Sequence, residues 1–190
     1  MPPFDSLIGF LDSRSFSTIW FWFLLIGAWS VTGRAVLGVP VEVVARSRAA
    51  HAGGQADGPE GIALLDWLSL TLPRWHLGAR EGAVFLGVTS FLLSSAFVMG
   101  FNFGLELAQA GFLMALPFWV LFWMRVRLAR RLAPHLARAQ AGDAPLAETV
   151  AEVARSMAHH RIGVVALSLI SLAVTMLWGM LWVALHPMGF

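Results

Sequence analysis

The chain has 190 residues, of which 58% are hydrophobic and only 13% are charged, and its formal net charge is +2. Soluble domains carry about a quarter charged residues, so this composition predicts an integral membrane protein and excludes an ordinary soluble enzyme. Cysteine is absent, which excludes disulfides, thiolate nucleophiles and cysteine-ligated clusters. All 13 basic residues are arginine, a bias that we attribute to a GC-rich bacterial genome.

The first predicted element is a short helix near the amino terminus. Phe4, Leu7, Ile8 and Leu11 follow helical spacing, which predicts a helix lying in the membrane surface or an extension of the first span. The first span covers residues 16–31, and aromatic residues crowd its start, where their rings favour the lipid headgroup level.

A long loop over residues 34–80 follows the first span. Within it, residues 62–72 are mostly apolar. This segment is too short to cross a bilayer, so it predicts an interfacial or re-entrant helix.

The second and third spans, residues 83–101 and 104–124, are joined by Asn102-Phe103, which predicts a tight hairpin. The third span continues into a basic amphipathic helix within a second loop, residues 125–161, and the fourth span covers 162–185. The sequence therefore predicts an all-α fold, a single membrane domain over residues 1–190. It has four transmembrane helices plus short interfacial and cytoplasmic amphipathic helices.

The distribution of arginine predicts the orientation. Four spans place both termini on one side, together with Arg14, whereas the other 12 arginines lie on the side of loops 34–80 and 125–161. Arginine accumulates on the cytoplasmic side of membranes. We therefore expect a protein of the bacterial inner membrane with periplasmic amino and carboxyl termini and two cytoplasmic loops.

Small residues recur at helical spacing in three of the predicted spans. Because lipid provides no hydrophobic drive for helix association, such residues predict close packing within a bundle or with a partner's helices. In the second span they are Ala83, Gly87, Ser90 and Ser94; in the third, Gly104, Ala108, Gly111 and Ala115; in the fourth, Ser168, Ser171, Thr175 and Gly179.

Glu106 and Gln109 are the one strongly polar pair inside a predicted span. A carboxylate in a membrane predicts a proton relay, a cation site or a contact between subunits. The alternative is a solvated carboxylate at the periplasmic headgroups, because Glu106 lies about one turn from Asn102. No phosphate-binding loop, zinc-protease motif or serine-hydrolase motif occurs, and we predict no catalytic residue, no cofactor and no metal.

Four arginines follow the third span directly: Arg125, Arg127, Arg130 and Arg131. They predict contact with anionic lipid headgroups or with an acidic partner, and the alternative is a topology signal alone. We expect no nucleic-acid partner, because the basic helix lies against the membrane without a binding fold. The histidines are expected to be solvated; the alternative is a cytoplasmic zinc site that uses His135.

Two groups of residues within the first 130 carry a family resemblance. They are Arg14-Ser-Phe-Ser17 with Trp20, Trp22, Ala28-Trp-Ser30 and Val36-Leu-Gly-Val-Pro40, and Gly104-x-Glu106-x-Ala108-Gln-Ala110 with Phe112-Leu113 and Ala115-Leu-Pro117. The chain thereby resembles small alphaproteobacterial membrane proteins often labelled "component of SufBCD complex". The resemblance implies a link to SUF iron–sulfur assembly and brings no catalytic residues with it.

These observations lead to three functional hypotheses. The first is a non-enzymatic accessory or assembly subunit of a larger inner-membrane complex, in contact with membrane lipids and other integral membrane subunits. A cytoplasmic protein partner would bind through the two basic loops. The second is the small membrane subunit of a secondary transporter. The third is a lipid-modifying or proton-coupled enzyme that works through Glu106.

Overall fold

The computed structural model describes residues 15–16, 18–55 and 57–185. The expected helix around Phe4–Leu11, Arg14 and the tail after residue 185 lie outside the described residues. The elements in chain order are α1 (Ile19–Thr32), β1 (Ala35–Val36), β2 (Val39–Pro40), α2 (Val41–Ala52), α3 (Pro59–Thr71) with a 3-10 turn (Leu72–Trp75), α4 (Ala79–Phe97) with a π-helical segment (Val98–Asn102), α5 (Glu106–Ala141) and α6 (Leu146–Leu185).

Three helical segments in the described part of the chain are long and apolar enough to cross a membrane. They are Ala79–Asn102, Glu106–Ala141 and Leu146–Leu185. Helix α1 is apolar but has 14 residues, which corresponds to about 21 Å against the ~30 Å of a bilayer core. The predicted helical architecture is confirmed, with three membrane-length helices rather than four among the described residues.

A small β-hairpin, with two residues in each strand, accompanies the helices of the predicted all-α fold. Ala35 pairs with Pro40 and Val36 with Val39 in an antiparallel register. The two central residues both have positive φ, 54° at Leu37 and 92° at Gly38, as two-residue hairpin turns of the right twist require. Leucine is not a usual residue at such a position, so the sequence carried no recognisable turn signal.

Helix α3 corresponds to the segment predicted as interfacial or re-entrant. It begins at Pro59, a residue well suited to the first helical turn because its missing N–H needs no partner there. Its 13 residues span about 20 Å, which is too short to cross a bilayer core. Leu64, Leu65 and Leu68 are buried along one face of the helix.

The two longest helices extend beyond the predicted spans. Helix α5 has 36 residues and α6 has 40, so predicted spans 104–124 and 162–185 are each part of a longer continuous helix. Helix α5 begins at Glu106 rather than at residue 104, because Gly104 has a φ of 74° and precedes the helix. Helix α6 also includes residues 146–161, which are the last part of the predicted second cytoplasmic loop.

The chain divides into two compact units. The first unit comprises residues 1–30, 79–120 and 167–190, and the second comprises residues 31–78 and 121–166. Both α5 and α6 contribute residues to each unit. The prediction of a single membrane domain over residues 1–190 stays a prediction.

The second unit contains a continuous apolar core. The hairpin contributes Val36, Leu37 and Val39 to it, α2 and α3 contribute Val43 and Leu68 among others, and α5 and α6 contribute Leu132, Val150, Val153 and Met157. Apolar stripes at helical spacing on four helices thus close around one interior, as in a water-soluble domain.

Candidate functional site

Glu106 and Gln109 both lie in the first turn of α5 and both are buried, with 5% and 2% of their surface exposed. Both residues belong to the first unit. The Glu106 carboxylate accepts a hydrogen bond from the backbone N–H of Phe16 at 2.5 Å. The carboxylate is therefore held inside the protein by a segment 90 positions away in the chain, instead of being solvated at a helix end.

The Gln109 amide uses both of its ends. Its Nε2 donates to the carbonyl oxygen of Gly100 at 2.8 Å, and its Oε1 accepts from the indole N–H of Trp178 at 2.9 Å. Gly100 lies in the π-helical segment and Trp178 in α6. One side chain on α5 therefore connects two further helices of the first unit.

Phe16 is fixed from two further directions. Its carbonyl oxygen accepts from the indole N–H of Trp22 at 3.0 Å. Its ring lies against α6, where a Cβ on Gly179 would come within 3.3 Å of it. We call the set Phe16, Gly100, Glu106, Gln109 and Trp178 the polar cluster, because each of the other three residues is hydrogen-bonded to Glu106 or to Gln109, which lie three positions apart on α5.

Few charged residues accompany Glu106 in the described part of the first unit. In the described part of the first unit, the charged residues are Arg80, Glu81 and Glu106. Arg80 and Glu81 lie at the start of α4, at the opposite end of that helix from Gly100. Glu106 is therefore the one charged residue of the described part of the first unit at this end of the helices.

The four arginines after the predicted third span lie in the second unit and divide into two kinds. Arg125 is half-buried; its Nη2 donates to the carbonyl oxygen of Thr32 at 3.1 Å, and its guanidinium lies 5.5 Å from the Trp75 ring centroid. Arg127, Arg130 and Arg131 are exposed. Their predicted contact with lipid or a partner stays a prediction, while Arg125 also holds parts of the second unit together.

The small residues of the predicted second and third spans are mostly left uncovered by this chain. Gly87 and Ser94 on α4 are exposed and Ser90 is half-buried. On α5, Ala108 is buried and Gly111 is exposed, while Gly104 precedes the helix. A Cβ built on Gly87 or Gly111 would meet nothing within 4 Å.

Of the four small residues of the predicted fourth span, Ser168 is half-buried and the other three are buried. Thr175 is 1% exposed and Ser171 is 5% exposed, and Gly179 lies against Phe16 and Trp22. The hydroxyl oxygens of Ser171 and Thr175 have no hydrogen-bond partner. Within the first unit, α6 thus uses its small residues for packing, whereas α4 does not.

The histidines of the second unit differ in their surroundings. His135 Nδ1 lies 2.9 Å from Arg138 Nη2 and 3.2 Å from a Glu152 carboxylate oxygen. Among the described residues no group of three or more histidine, cysteine, aspartate or glutamate side chains could hold a metal ion.

His160 is buried, so the prediction of a solvated histidine is wrong at this position. It is 9% exposed and its Nε2 has no hydrogen-bond partner, whereas neighbouring His159 is exposed and bonds the Arg155 carbonyl. The sequence contains a signal for this burial, because residue 160 lies three positions after Met157 and continues the helical spacing of the apolar residues Val150, Val153 and Met157.

A comparison of the chain with protein-family models, with curated proteins and with solved structures found no match. The residues themselves therefore carry the functional argument.

Proposed function

We propose that the chain is a non-enzymatic accessory or assembly subunit of a larger complex in the bacterial inner membrane. The observation that carries this proposal is the surface of α4. None of its 19 residues is buried, and the small residues Gly87 and Ser94 are exposed on it. Small residues allow helices to approach closely in lipid, so this face supports contact with the helix of another subunit.

The polar cluster supports the non-enzymatic part of the proposal. Glu106 and Gln109 use their polar atoms on Phe16, Gly100 and Trp178. Such interhelical hydrogen bonds stabilise helix bundles in membranes. This use of the carboxylate favours a structural role over catalysis by Glu106.

The proposed topology has four crossings, with α1 as the first, and periplasmic termini. The exposed aromatic residues of α1, such as Trp20 at 74% and Phe23 at 61%, suit the membrane interface. A short span is accommodated by local thinning of the bilayer. Of the 12 arginines among the described residues, Arg80 falls in the first unit and the other 11 in the second, which supports a cytoplasmic second unit.

The resemblance noted above supports a partner in SUF iron–sulfur assembly. Without cysteine, the chain would contribute docking rather than thiolate ligands to a cluster. Exposed Arg127, Arg130 and Arg131 favour an acidic cytoplasmic surface on that partner, because complementary charge directs association.

The test is gentle detergent extraction of the tagged full-length chain from native membranes, followed by mass spectrometry of the proteins that co-purify. We expect a stoichiometric integral membrane partner. Gly87→Leu should remove that partner, because a larger side chain separates the two helices. Val88→Leu, on the adjacent exposed position of α4, is the matched control and should retain it. A monomeric protein without any crosslinked partner in native membranes would refute the proposal.

The topology is tested separately with reporter fusions after Phe190. Alkaline phosphatase should be active there, because it folds only in the periplasm. A cytoplasmic carboxyl terminus would contradict the proposed topology and would favour the small membrane subunit of a secondary transporter instead.

A further inference from the structure

The second unit contains a cavity of about 550 Å³ beside Trp75. Its volume lies within the ~300–1,000 Å³ of small-molecule sites. Its walls are mostly apolar, with the rings of Trp67, Trp75 and Phe122 among them, and Arg74 is its one charged lining residue. A ligand that fits this lining is apolar along most of its length and carries a negative charge at one end.

The cavity wall formed by Trp75 is held in place by three contacts. The indole N–H donates to the carbonyl oxygen of Leu37 at 3.2 Å. The centroid of the Trp75 ring lies 6.0 Å from the centroid of the Phe122 ring. The guanidinium carbon of Arg125 lies 5.5 Å from the same Trp75 centroid. A wall fixed in this way keeps the cavity open before a ligand arrives, and a preformed site costs less ordering on binding.

The charges around Trp75 have one sign. Arg74 is exposed and forms no hydrogen bond or ion pair with any described residue. A second cavity of about 450 Å³ also has Trp75 in its wall, and Arg130 and His76 line it without any acidic residue. Arg74 lines the first cavity and Arg130 the second, and neither cavity has an acidic lining residue. An arginine beside an apolar cavity of this kind favours an anionic ligand.

The residues at the cavity also indicate where the ligand comes from. Leu70 and Trp67 line the cavity and are 73% and 44% exposed. Exposed leucine and tryptophan on a short helix are typical of a surface that lies at the lipid headgroup level. A bilayer lipid has direct access to such a surface.

We propose that the cavity binds one acyl chain of an anionic phospholipid, with the phosphate held by Arg74. The bound lipid would fill the space between α3, the 3-10 turn and α5 within the second unit. This proposal goes beyond the proposed function and rests only on the membrane location that the two share. Loss of lipid binding should therefore leave the co-purifying partner bound. Loss of that partner should likewise leave lipid binding unchanged.

The test is native mass spectrometry of the full-length chain in detergent, titrated with phosphatidylglycerol, with phosphatidylcholine and with oleate. We expect one phosphatidylglycerol per chain, bound more tightly than the other two lipids. Arg74→Gln should weaken phosphatidylglycerol binding about fivefold, the effect of one cationic group near anionic lipid. Arg127→Gln removes an exposed arginine that lines neither cavity and should leave the affinity unchanged.

Two cavity-narrowing variants complete the experiment. Val126→Phe fills the cavity from α5 and Leu70→Trp narrows it from an exposed position that does not disturb the core. Either variant should reduce binding of both phospholipids. Equal losses for Arg74→Gln and Arg127→Gln, retained binding in folded Leu70→Trp, or tighter binding of oleate than of phosphatidylglycerol would each overturn the proposal.

Discussion

The two units of the chain differ in how they bury apolar and charged side chains. In the second unit, Leu64, Leu68 and Val153 have no exposed surface. In the first unit, Phe91 and Leu177 are 70% and 68% exposed, while the polar Glu106 and Gln109 are buried. Burial of apolar surface drives folding in water, and the second unit follows that pattern. In lipid, polar contacts and close helix approach must stabilise the fold, and the first unit has features of that kind.

Aromatic side chains make specific contacts in both units, but in the second unit they also pack against the apolar core. In the first unit, the indole N–H of Trp119 donates to Thr89 at 2.9 Å and Trp29 stacks on Phe118 at 4.7 Å. These contacts join helices through specific atoms. In the second unit, Trp75 closes a packed apolar core and supports Arg125. Substitutions of one chemical type should therefore have different effects in the two units.

The largest difference is expected for leucine truncation. Leu132→Ala in the second unit removes a side chain that is 1% exposed and should lower the free energy of unfolding by about 2–5 kcal/mol. Leu177→Ala in the first unit removes an exposed side chain and should change it by less than about 0.5 kcal/mol. Denaturant unfolding in mild detergent, followed by tryptophan fluorescence, measures both. Equal losses would mean that the two units do not differ in this way.

Glycine substitution in the first unit should show the second largest effect. A Cβ on Gly100 would lie 2.7 Å from the backbone nitrogen of Gln109, so Gly100→Ala forces the π-helical segment away from α5. We expect a loss of about 1–3 kcal/mol, as for overpacked sites. Gly87→Ala is the matched control, because a Cβ there meets nothing within 4 Å. A thermal shift in the same detergent that is identical for both variants would contradict the close approach.

Much of the first unit could be predicted from the sequence, because its signals are local. The length of the apolar segments predicts Ala79–Asn102 and parts of α5 and α6 as helices. The short connection Asn102-Phe103 predicts that the chain reverses direction between α4 and α5. The ends of helices α5 and α6 could not be predicted in this way. Composition changes from apolar to charged within each helix, and such a change marks a new environment rather than the end of helical hydrogen bonding.

The contacts of the candidate site depend on residues far apart in the chain. The polarity of Glu106 was visible, but its burial depends on the N–H of Phe16, 90 positions away. The cluster of arginines was visible too, but the use of Arg125 depends on Thr32 and Trp75. The hairpin was missed because a leucine with positive φ is held there by packing around it, with 1% of its surface exposed.

The next effect concerns the hydrogen bonds of the polar cluster in the first unit. Gln109→Leu removes two hydrogen bonds and leaves the Gly100 carbonyl and the Trp178 indole N–H without their partner. We expect a loss of about 1–3 kcal/mol, because each lost bond contributes roughly 0.5–1.5 kcal/mol. The free energy of unfolding in detergent measures it.

Glu106→Gln is the control for charge in the same cluster. The amide oxygen still accepts from the Phe16 N–H, so this variant should remain folded and should keep its co-purifying partner. If the variant folds and retains its partner but fails to complement a deletion strain, the charge itself is required. Glu106 would then act in proton or ion chemistry, contrary to the structural role argued above.

Arginine substitutions compare a half-buried with an exposed guanidinium within the second unit. Arg125→Gln removes the hydrogen bond to Thr32 and the contact with the Trp75 ring, together worth about 1–2 kcal/mol. Arg127→Gln should cost less than about 0.5 kcal/mol, as surface substitutions do. Chemical unfolding of the two variants under the same conditions measures both changes in the free energy of unfolding. A larger loss for Arg127→Gln than for Arg125→Gln would contradict the assigned contacts of Arg125.

The smallest effect is expected at the ion pair between α2 and α3. Arg46 Nε lies 3.8 Å from a Glu60 carboxylate oxygen, and the side chains are 63% and 38% exposed. Exposed pairs contribute about 0.2–1 kcal/mol because water and salt screen them. Arg46→Ala should therefore lower the free energy of unfolding by no more than about 0.5 kcal/mol at low salt, and by less in high salt. A large loss that shrinks in high salt would mean that these helices are held together by charge, whereas Leu64, Leu68 and Val43 in the shared core favour apolar packing.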